Sequence, residues 1–544
     1  MNIFKRPFLI FHWLLLTCLC VSQVTLLYAA NVPPGTPLAK QQVFIRGIGA
    51  EPSSLDPQLV EGSPGGFVVR DLFEGLVTED DTGKIVPGQA ASWTVSKDKT
   101  IYTFTLRDNA RWSNGEPVTA NDFVFTFRRA VDPQLGSSYG WYMDLIGIKH
   151  ADAIIKGKLK PTALGIRAID QKTLEITLKH PLSYFIKTLA HYTTFPVHPA
   201  TVKKHGEKWT QPEHIVTNGP YKLTKWVVNE RMEAKRNPYY WDNSNTIIEQ
   251  VTFLPIESAN TELNRYKAGE LHWTREIPED HFNNLKKTIA AEVKSHGIAS
   301  TYFYSFNTQT KPFNDVRIRK ALYLAMDRDI LANKVLGMGE IPAYSLTPPY
   351  IDGYVAINNP YANMSQQQRN TEARQLLAEA GYHKSKPLTF ELLYNTNESH
   401  KRIALAASAM WKQNLKYVKV NLINQEWKTF LSTKRQGQFE LARYGWNGDY
   451  NEPSTMLSVM ASTSGANDGK YNSPQYDELL TKAATAKDPS PYYQQAEKLL
   501  ITDFPIIPFY YYVSRNLLKP NVKGYLNKNP LNNMYTKNLY IIDQ

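Results

Sequence analysis

The alternation of apolar and polar positions changes period several times along the chain, and each change marks a predicted element. Residues 101–107 (IYTFTLR) alternate as a half-buried strand does, and the same period returns at 173–178, 221–228 and 246–256. Between the first two of these runs, an Asn-Gly turn in WSNGEPVT precedes a predicted helix over 120–131. Residues 42–77 predict a short strand, a Pro-Ser-Ser loop and an amphipathic helix ending at Gly75. Apolar residues at helical spacing predict two helices over 313–335 and another over 371–381. Strand LTFELLYN, ending at Asn395, is followed by a helix over 400–414, strand VKVNLINQ and helix WKTFLSTKRQ. Strand, helix, strand, helix in that order predicts a mixed or parallel sheet flanked by helices. No internal repeat or low-complexity segment is present.

A chain of 544 residues is far longer than the roughly 100–200 residues of one domain, so two or three packed lobes are expected. The first residues place Lys5 and Arg6 before an apolar run over 8–21 and small residues at Ala29 and Ala30, the order of a cleaved secretory signal peptide. No later segment is apolar for the ~18 residues a membrane span requires, so the mature protein is expected to be soluble and exported to the periplasm. A lipid anchor on Cys18 or Cys20 is the rival reading, although Thr17 and Leu19 suit it poorly. Both cysteines of the sequence lie in this leader, so the mature chain relies on core burial without disulfides.

The formal charge of +12 raises the question of nucleic acid. A phosphate-binding surface concentrates Lys and Arg on one element, whereas here they are scattered singly or in pairs among acids, so no nucleic-acid partner is expected. Aromatic residues are frequent at 12%, with 32 Tyr and 11 Trp.

Motifs for phosphate cradling, zinc proteolysis, dithiol chemistry and the hydrolase nucleophile elbow are all missing, which argues against an enzyme. His191, His198 and His205 stand seven apart, a spacing that does not bring two imidazoles onto adjacent helical turns, so no metal or other cofactor is expected. The segment RYGWNGDYNEP (443–453), following strand FELAR, reads as a loop that sets Asp449 among Trp446 and Tyr450. It is either an Asx-type turn beside a core Trp, or a site where Asp449 receives a cation and the loop backbone pairs with an extended ligand.

These residues resemble those of the periplasmic oligopeptide-binding protein family, the extracellular component (solute-binding family 5) of ABC peptide importers. The resemblance runs through SLDPQLVEG, RDLFEGL, YTFTLRDNARWSNGEPVTANDFVF, EKWTQPEHIVTNGPY, KPFNDVR, LLYNTNESHKR, NQEWKTFL and GWNGDYNEP, covering nearly all of the mature chain. It implies an α/β fold of three lobes (the type II, cluster C binding-protein fold), with mixed sheets and a hinged ligand cleft. The lobes would be 30–74 with 199–300 and 514–544, then 75–198, then 301–513.

It further implies a monomer that captures short peptides and passes them to inner-membrane permease subunits. A sister branch that binds cell-wall (murein) tripeptides is the alternative. The matching positions put Asp449 on the ligand ammonium and main-chain groups of Gly445 and Asn447 on one side of the peptide. Glu61, Gly62 and Ser63 lie on the other. Arg443, Lys434 and His400 fall where the family meets the ligand carboxylate. Asn395 joins the site, and Tyr139, Trp427, Trp446 and Tyr512 match its aromatic walls.

Three departures qualify the match. Lys434 stands where relatives carry Arg, and a point-charge ammonium does not reproduce a guanidinium fork. A cysteine pair of some members is replaced by Ser300 and Asn447, while Arg275 and Glu276 add charge to a cleft that is often neutral.

Overall fold

The computed structural model describes residues 30–354 and 356–543. The signal-peptide reading and the lipid-anchor alternative at Cys18 or Cys20 fall on residues 1–29, outside the described residues. No helix among the described residues is long and apolar enough to cross a membrane.

Three of the five sheets among the described residues organise the fold, and the alternating runs supply four of their fourteen strands. Ile101–Leu106 and Thr173–Thr177 pair antiparallel at the centre of one four-stranded sheet, flanked by Ala90–Val95 and Ile166–Ala168. Against it lies the helix Ala120–Val131, whose Phe123, Phe127 and Ala130 are buried at helical spacing. Asp122 in its first turn accepts from the Thr119 N–H, closing the start of the helix.

A second four-stranded sheet has the order Val43–Gly47, Gln250–Leu254, Arg231–Arg236, Tyr221–Val227. Its strand Gln250–Leu254 is shorter than the 246–256 run predicted, because a helical turn at Asn243–Asn245 precedes it and Pro255, lacking an N–H, follows. The helix expected to reach Gly75 runs Gly62–Leu72. The side chain of Asn218 bonds both the N–H and the carbonyl of Glu74, drawing the backbone out of the helix.

The third sheet has six strands, in the order Ile341–Pro342, Ile506–Leu517, Val293–Phe306, Leu441–Asn447, Leu388–Asn395, Val418–Gln425. Leu388–Asn395 runs parallel to Val418–Gln425 through the crossover helix Glu398–Leu415, the unit that the chain order predicted. That helix buries Ile403, Ala407 and Trp411 against the sheet, and Trp411 Nε1 donates to the Leu322 carbonyl at 2.9 Å. Leu441–Asn447 corrects the sequence reading, which placed a loop from Arg443. Pairing with Val293–Phe306, from Ser300 opposite Asn447 to Phe306 opposite Leu441, holds Gly445 and Asn447 extended despite their low strand propensity.

Two strands cross between the halves of the molecule. Val293–Phe306 and Ile506–Leu517 form an antiparallel ribbon within the six-stranded sheet, and Trp273 bridges the end of that ribbon at Leu518 to Arg46 of the sheet that holds Val43–Gly47. The register of the ribbon breaks between Gly297 and Thr301, where four steps in one strand oppose two in the other, from Val513 to Tyr511. Such an irregularity locally removes ladder bonds and is a natural bending point.

Beyond the ribbon the chain returns to the first half. There Lys537 Nζ lies 2.9 Å from Glu74 Oε1, deep in the core. Tyr240, Trp241 and Gln89 also donate to that carboxylate. Burial alone would raise the pKa of Glu74, but Lys537 and these donors hold it below the ordinary value.

Candidate functional site

Between the halves, beside the ribbon, lies a cavity of about 350 Å³. All fourteen residues singled out in the sequence line it, although they come from positions 61 to 512.

The strand Leu441–Asn447 forms its floor. One edge is paired along its length, but the other meets Leu388–Asn395 only at Leu441 and Ala442. From Arg443 to Asn447 that second edge has no strand partner among the described residues and borders the cavity. Facing it are Glu61, Gly62 and Ser63 at the start of the helix Gly62–Leu72, and Asn447 Nδ2 donates to Ser63 Oγ at 3.1 Å. Gly62 has φ +76, and a Cβ there would sit 2.8 Å from the Trp427 ring, so both conformation and space require glycine.

Asp449 lies just past the end of this strand. Its side chain is 9% exposed, and His191 Nε2 lies 3.4 Å from Oδ1. Burial pushes the Asp449 pKa up to about 8, a shift that Arg70 only partly offsets. Burial, with Arg70 nearby, pushes His191 well below the usual imidazole range, so it is neutral. His191 Nδ1 accepts from the Thr193 N–H, which leaves the ring proton on Nε2, toward Asp449. The imidazole stacks on Tyr139 at 5.4 Å, and Tyr139 in turn stacks on Trp446 at an interplanar angle of 10°. Trp446 is fixed from behind by donation to the Thr455 carbonyl at 2.8 Å.

In the sequence His191 offers only a metal-ligand reading, and nothing in its spacing links it to Asp449. His198 instead pairs with Glu116 at 2.6 Å, and His205 stacks on His214. Among the described residues no group of three His, Cys, Asp or Glu side chains is placed to hold a metal.

The other end of the floor is cationic. Arg443 donates to Tyr512 OH at 3.1 Å and approaches Asn395 Oδ1 at 3.5 Å, while its Nε has no partner among the described residues. Burial works against its charge, yet Tyr512, Tyr302 and Tyr510 raise its pKa overall. The guanidinium folds back over Gly445, where a Cβ would come within 3.0 Å of Nη2. His400 adjoins it, neutral through burial and the repulsion of Arg443, and its Nδ1 has no partner among the described residues.

Lys434, expected among the groups that meet the ligand carboxylate, lines the cavity and lies against an acid. Its Nζ lies 3.3 Å from Asp468 and 3.4 Å from the centre of the Tyr444 ring, with both charged side chains nearly buried. Burial lowers its pKa and Asp468 partly restores it, so this ammonium already has its counter-charge. Ser300 and Asn447 stand opposite each other across the ladder, and Ser300 Oγ donates to Asn447 Oδ1 at 2.6 Å.

Two halves joined by a ribbon and enclosing a free strand edge, with an acid at one end and a cation at the other, define a solute-binding protein. The chain belongs to the bacterial extracellular solute-binding proteins, family 5, whose middle region matches residues 84–468. That is a family of binding proteins, and the fold is accordingly the α/β binding-protein fold with a hinged cleft.

The chain is 51% identical over 518 residues to the periplasmic oligopeptide-binding protein of Salmonella typhimurium, covering 94% of this chain and 95% of that one. It is 45% identical over 536 residues to the periplasmic murein peptide-binding protein of Escherichia coli, covering 98% and 99%. A structure of the latter superposes with a TM-score of 0.91 at 44% identity, over 94% of this chain and 100% of that one. The oligopeptide-binding protein of Haemophilus influenzae, in complex with RPPGFSPFR, superposes at 0.90 and 42%, over 93% and 100%. Against a periplasmic murein tripeptide-binding protein in its unliganded open form the TM-score is 0.68 at 44% identity. The lobes of the present structure are therefore arranged differently from that open form.

Proposed function

We propose that this protein captures short peptides in the periplasm, closes over them, and delivers them to the permease of an ABC importer. The observation that carries the reading is the unpaired edge Arg443–Asn447, running from a partly unsatisfied guanidinium to the buried carboxylate of Asp449. An extended peptide presents the same elements to every binder: a main chain, an ammonium and a carboxylate. Main-chain groups of Gly445 and Asn447 add the ligand as a further strand, with Glu61, Gly62 and Ser63 on its other side. Asp449 receives the ammonium, and Arg443 with His400 receives the carboxylate. Tyr139, Trp427, Trp446 and Tyr512 wall the side-chain spaces, and Lys434 with Asp468 braces the floor.

Relatives named as oligopeptide-binding support the assignment. In the same reading the protein acts as a monomer without catalysis, reaches the periplasm through a cleaved leader, and divides into lobes 30–74 with 199–300 and 514–544, 75–198, and 301–513.

A cell-wall tripeptide is the second reading, favoured by the superposition on the murein tripeptide-binding protein. Such a ligand carries additional carboxylates, and Arg443 has no carboxylate partner among the described residues to compete with them. Native mass spectrometry of protein purified from the periplasm separates the two. Mixed peptides of two to five residues support general capture, and one diaminopimelate-containing species supports the cell-wall ligand. Protein that carries neither, and binds no tripeptide in titration calorimetry, defeats both.

A further inference from the structure

A second seam joins the halves at the rim of the same cavity, which Glu276 and Asn397 also line, through contacts that use neither the strand edge nor Asp449. On one side is the stretch that follows the strand Gln250–Leu254; on the other is the start of the helix Glu398–Leu415. Ser258 Oγ and Asn260 Nδ2 donate to the two carboxylate oxygens of Glu398, at 3.2 and 3.1 Å. Ser258 spends its own acceptor capacity on capping the helix Ala259–Lys267, which leaves its hydroxyl proton for Glu398. Asn397 Nδ2 donates to Glu276 Oε1 at 3.2 Å. Arg402 Nη1 lies 2.6 Å from Glu279 Oε2 and 3.1 Å from Asp280 Oδ1, while Ser399 Oγ donates to Glu279 Oε1.

Every one of these contacts crosses between the halves, over 120 to 140 residues of sequence, and none involves the unpaired strand edge. The seam is tight, leaving a cavity of about 30 Å³. The Glu279 side chain is only 6% exposed, so its charge depends on the cross-seam donors.

From this geometry we infer that Arg402 and Glu398, with their partners on the facing half, form a closure latch that stabilises the closed cleft independently of the ligand. The halves are linked by the ribbon of Val293–Phe306 and Ile506–Leu517, whose register breaks between Gly297 and Thr301. Rotation there makes or breaks the whole seam together. Apparent ligand affinity equals the intrinsic affinity of the closed cleft multiplied by the closed fraction. The latch thus sets how much ligand-derived energy remains as affinity, and because it is built from ion pairs it responds to salt. It rests on the hinged fold and not on the identity of the ligand.

The test uses the full mature chain, which has no cysteine, with spin labels on single cysteines at the exposed positions Lys158 and Lys487. Pulsed electron resonance reads the distance between the halves, and calorimetry with trialanine reads affinity. Arg402→Ala and Glu398→Ala are each expected to shift the distances toward the open arrangement and to weaken trialanine binding about 10-fold. Raising NaCl from about 10 mM to 1 M should open the wild type and leave Arg402→Ala nearly unchanged. Glu398→Gln, which keeps the helix start intact, serves if the alanine variants melt early. Unchanged distances, affinity and salt response in the variants overturn the latch. If wild-type protein does not bind trialanine, the peptide reading is in doubt and the distances alone decide the latch.

Discussion

Replacing Asp449 by Asn removes a charge while preserving size, and the structure gives its consequence a scale. Enclosing the carboxylate raises its pKa from the ordinary 3.8 to about 8. At 1.36 kcal/mol per pH unit, closing the cleft over the ionised acid with nothing to pair it costs about 5–6 kcal/mol. An ammonium placed there offsets that penalty, so the acid favours closure over a cation and opposes closure over anything else. For the wild type this predicts strong preference for a free amino terminus over an N-acetylated one. Truncating one partner of a buried charge pair typically costs about 2–5 kcal/mol, so Asp449→Asn should weaken binding of an unmodified tripeptide by roughly 100-fold. The N-acetylated peptide should change little, and the ratio between the two ligands should collapse to less than about 5-fold. The assay is calorimetric titration of both proteins with both ligands near pH 8. The reasoning fails if Asp449→Asn retains the wild-type ratio, since the carboxylate would then not be what meets the amine.

Other consequences can be tested separately. Because enclosure without a ligand raises the Asp449 pKa to about 8, the ligand-free closed form binds the extra proton and should gain on the open form as pH falls from about 8 to 7; an inter-lobe distance that does not shorten over that range, or that shortens equally in Asp449→Asn, would contradict this. Lys434→Met leaves Asp468 buried without its ammonium and should lower stability by about 3–5 kcal/mol in denaturant melts. The same change should leave tripeptide affinity within about 3-fold, whereas Arg443→Ala should reduce it at least tenfold; the reverse ranking would make Lys434 the carboxylate receptor. Lys537→Met strands Glu74 in the core and should cost about 3–5 kcal/mol, with a loss below about 1 kcal/mol counting against the network. The wild-type contribution of Glu74, whose pKa is lowered on folding, should be present above the ordinary carboxylate range and fade as pH falls through it.

Sequence by itself determined many of the elements and, through family resemblance, the residues that line the cavity, but no local pattern singled out the ribbon strands Val293–Phe306 and Ile506–Leu517 or the helices Pro474–Thr485 and Ser490–Asp503. The helix Ala120–Val131 and the strands Leu388–Asn395 and Val418–Gln425 end where their patterns end, because burial on one face imposes a period that the residues display locally. The local sequence alone sets Asp449 as an acid among aromatic residues. Only the tertiary structure decided the rest, since each remaining feature depends on a partner far away in the chain. Arg443–Asn447 is strand and not loop because residues 300 to 304 pair with it. The first long helix stops at Leu72 because Asn218 captures the backbone of Glu74. Lys434 is paired because Asp468 folds against it, and His191 faces Asp449 although 258 residues separate them. Periodicity reports which side of an element is buried, but an ion pair, a free strand edge or a hinge exists only once distant segments share a surface.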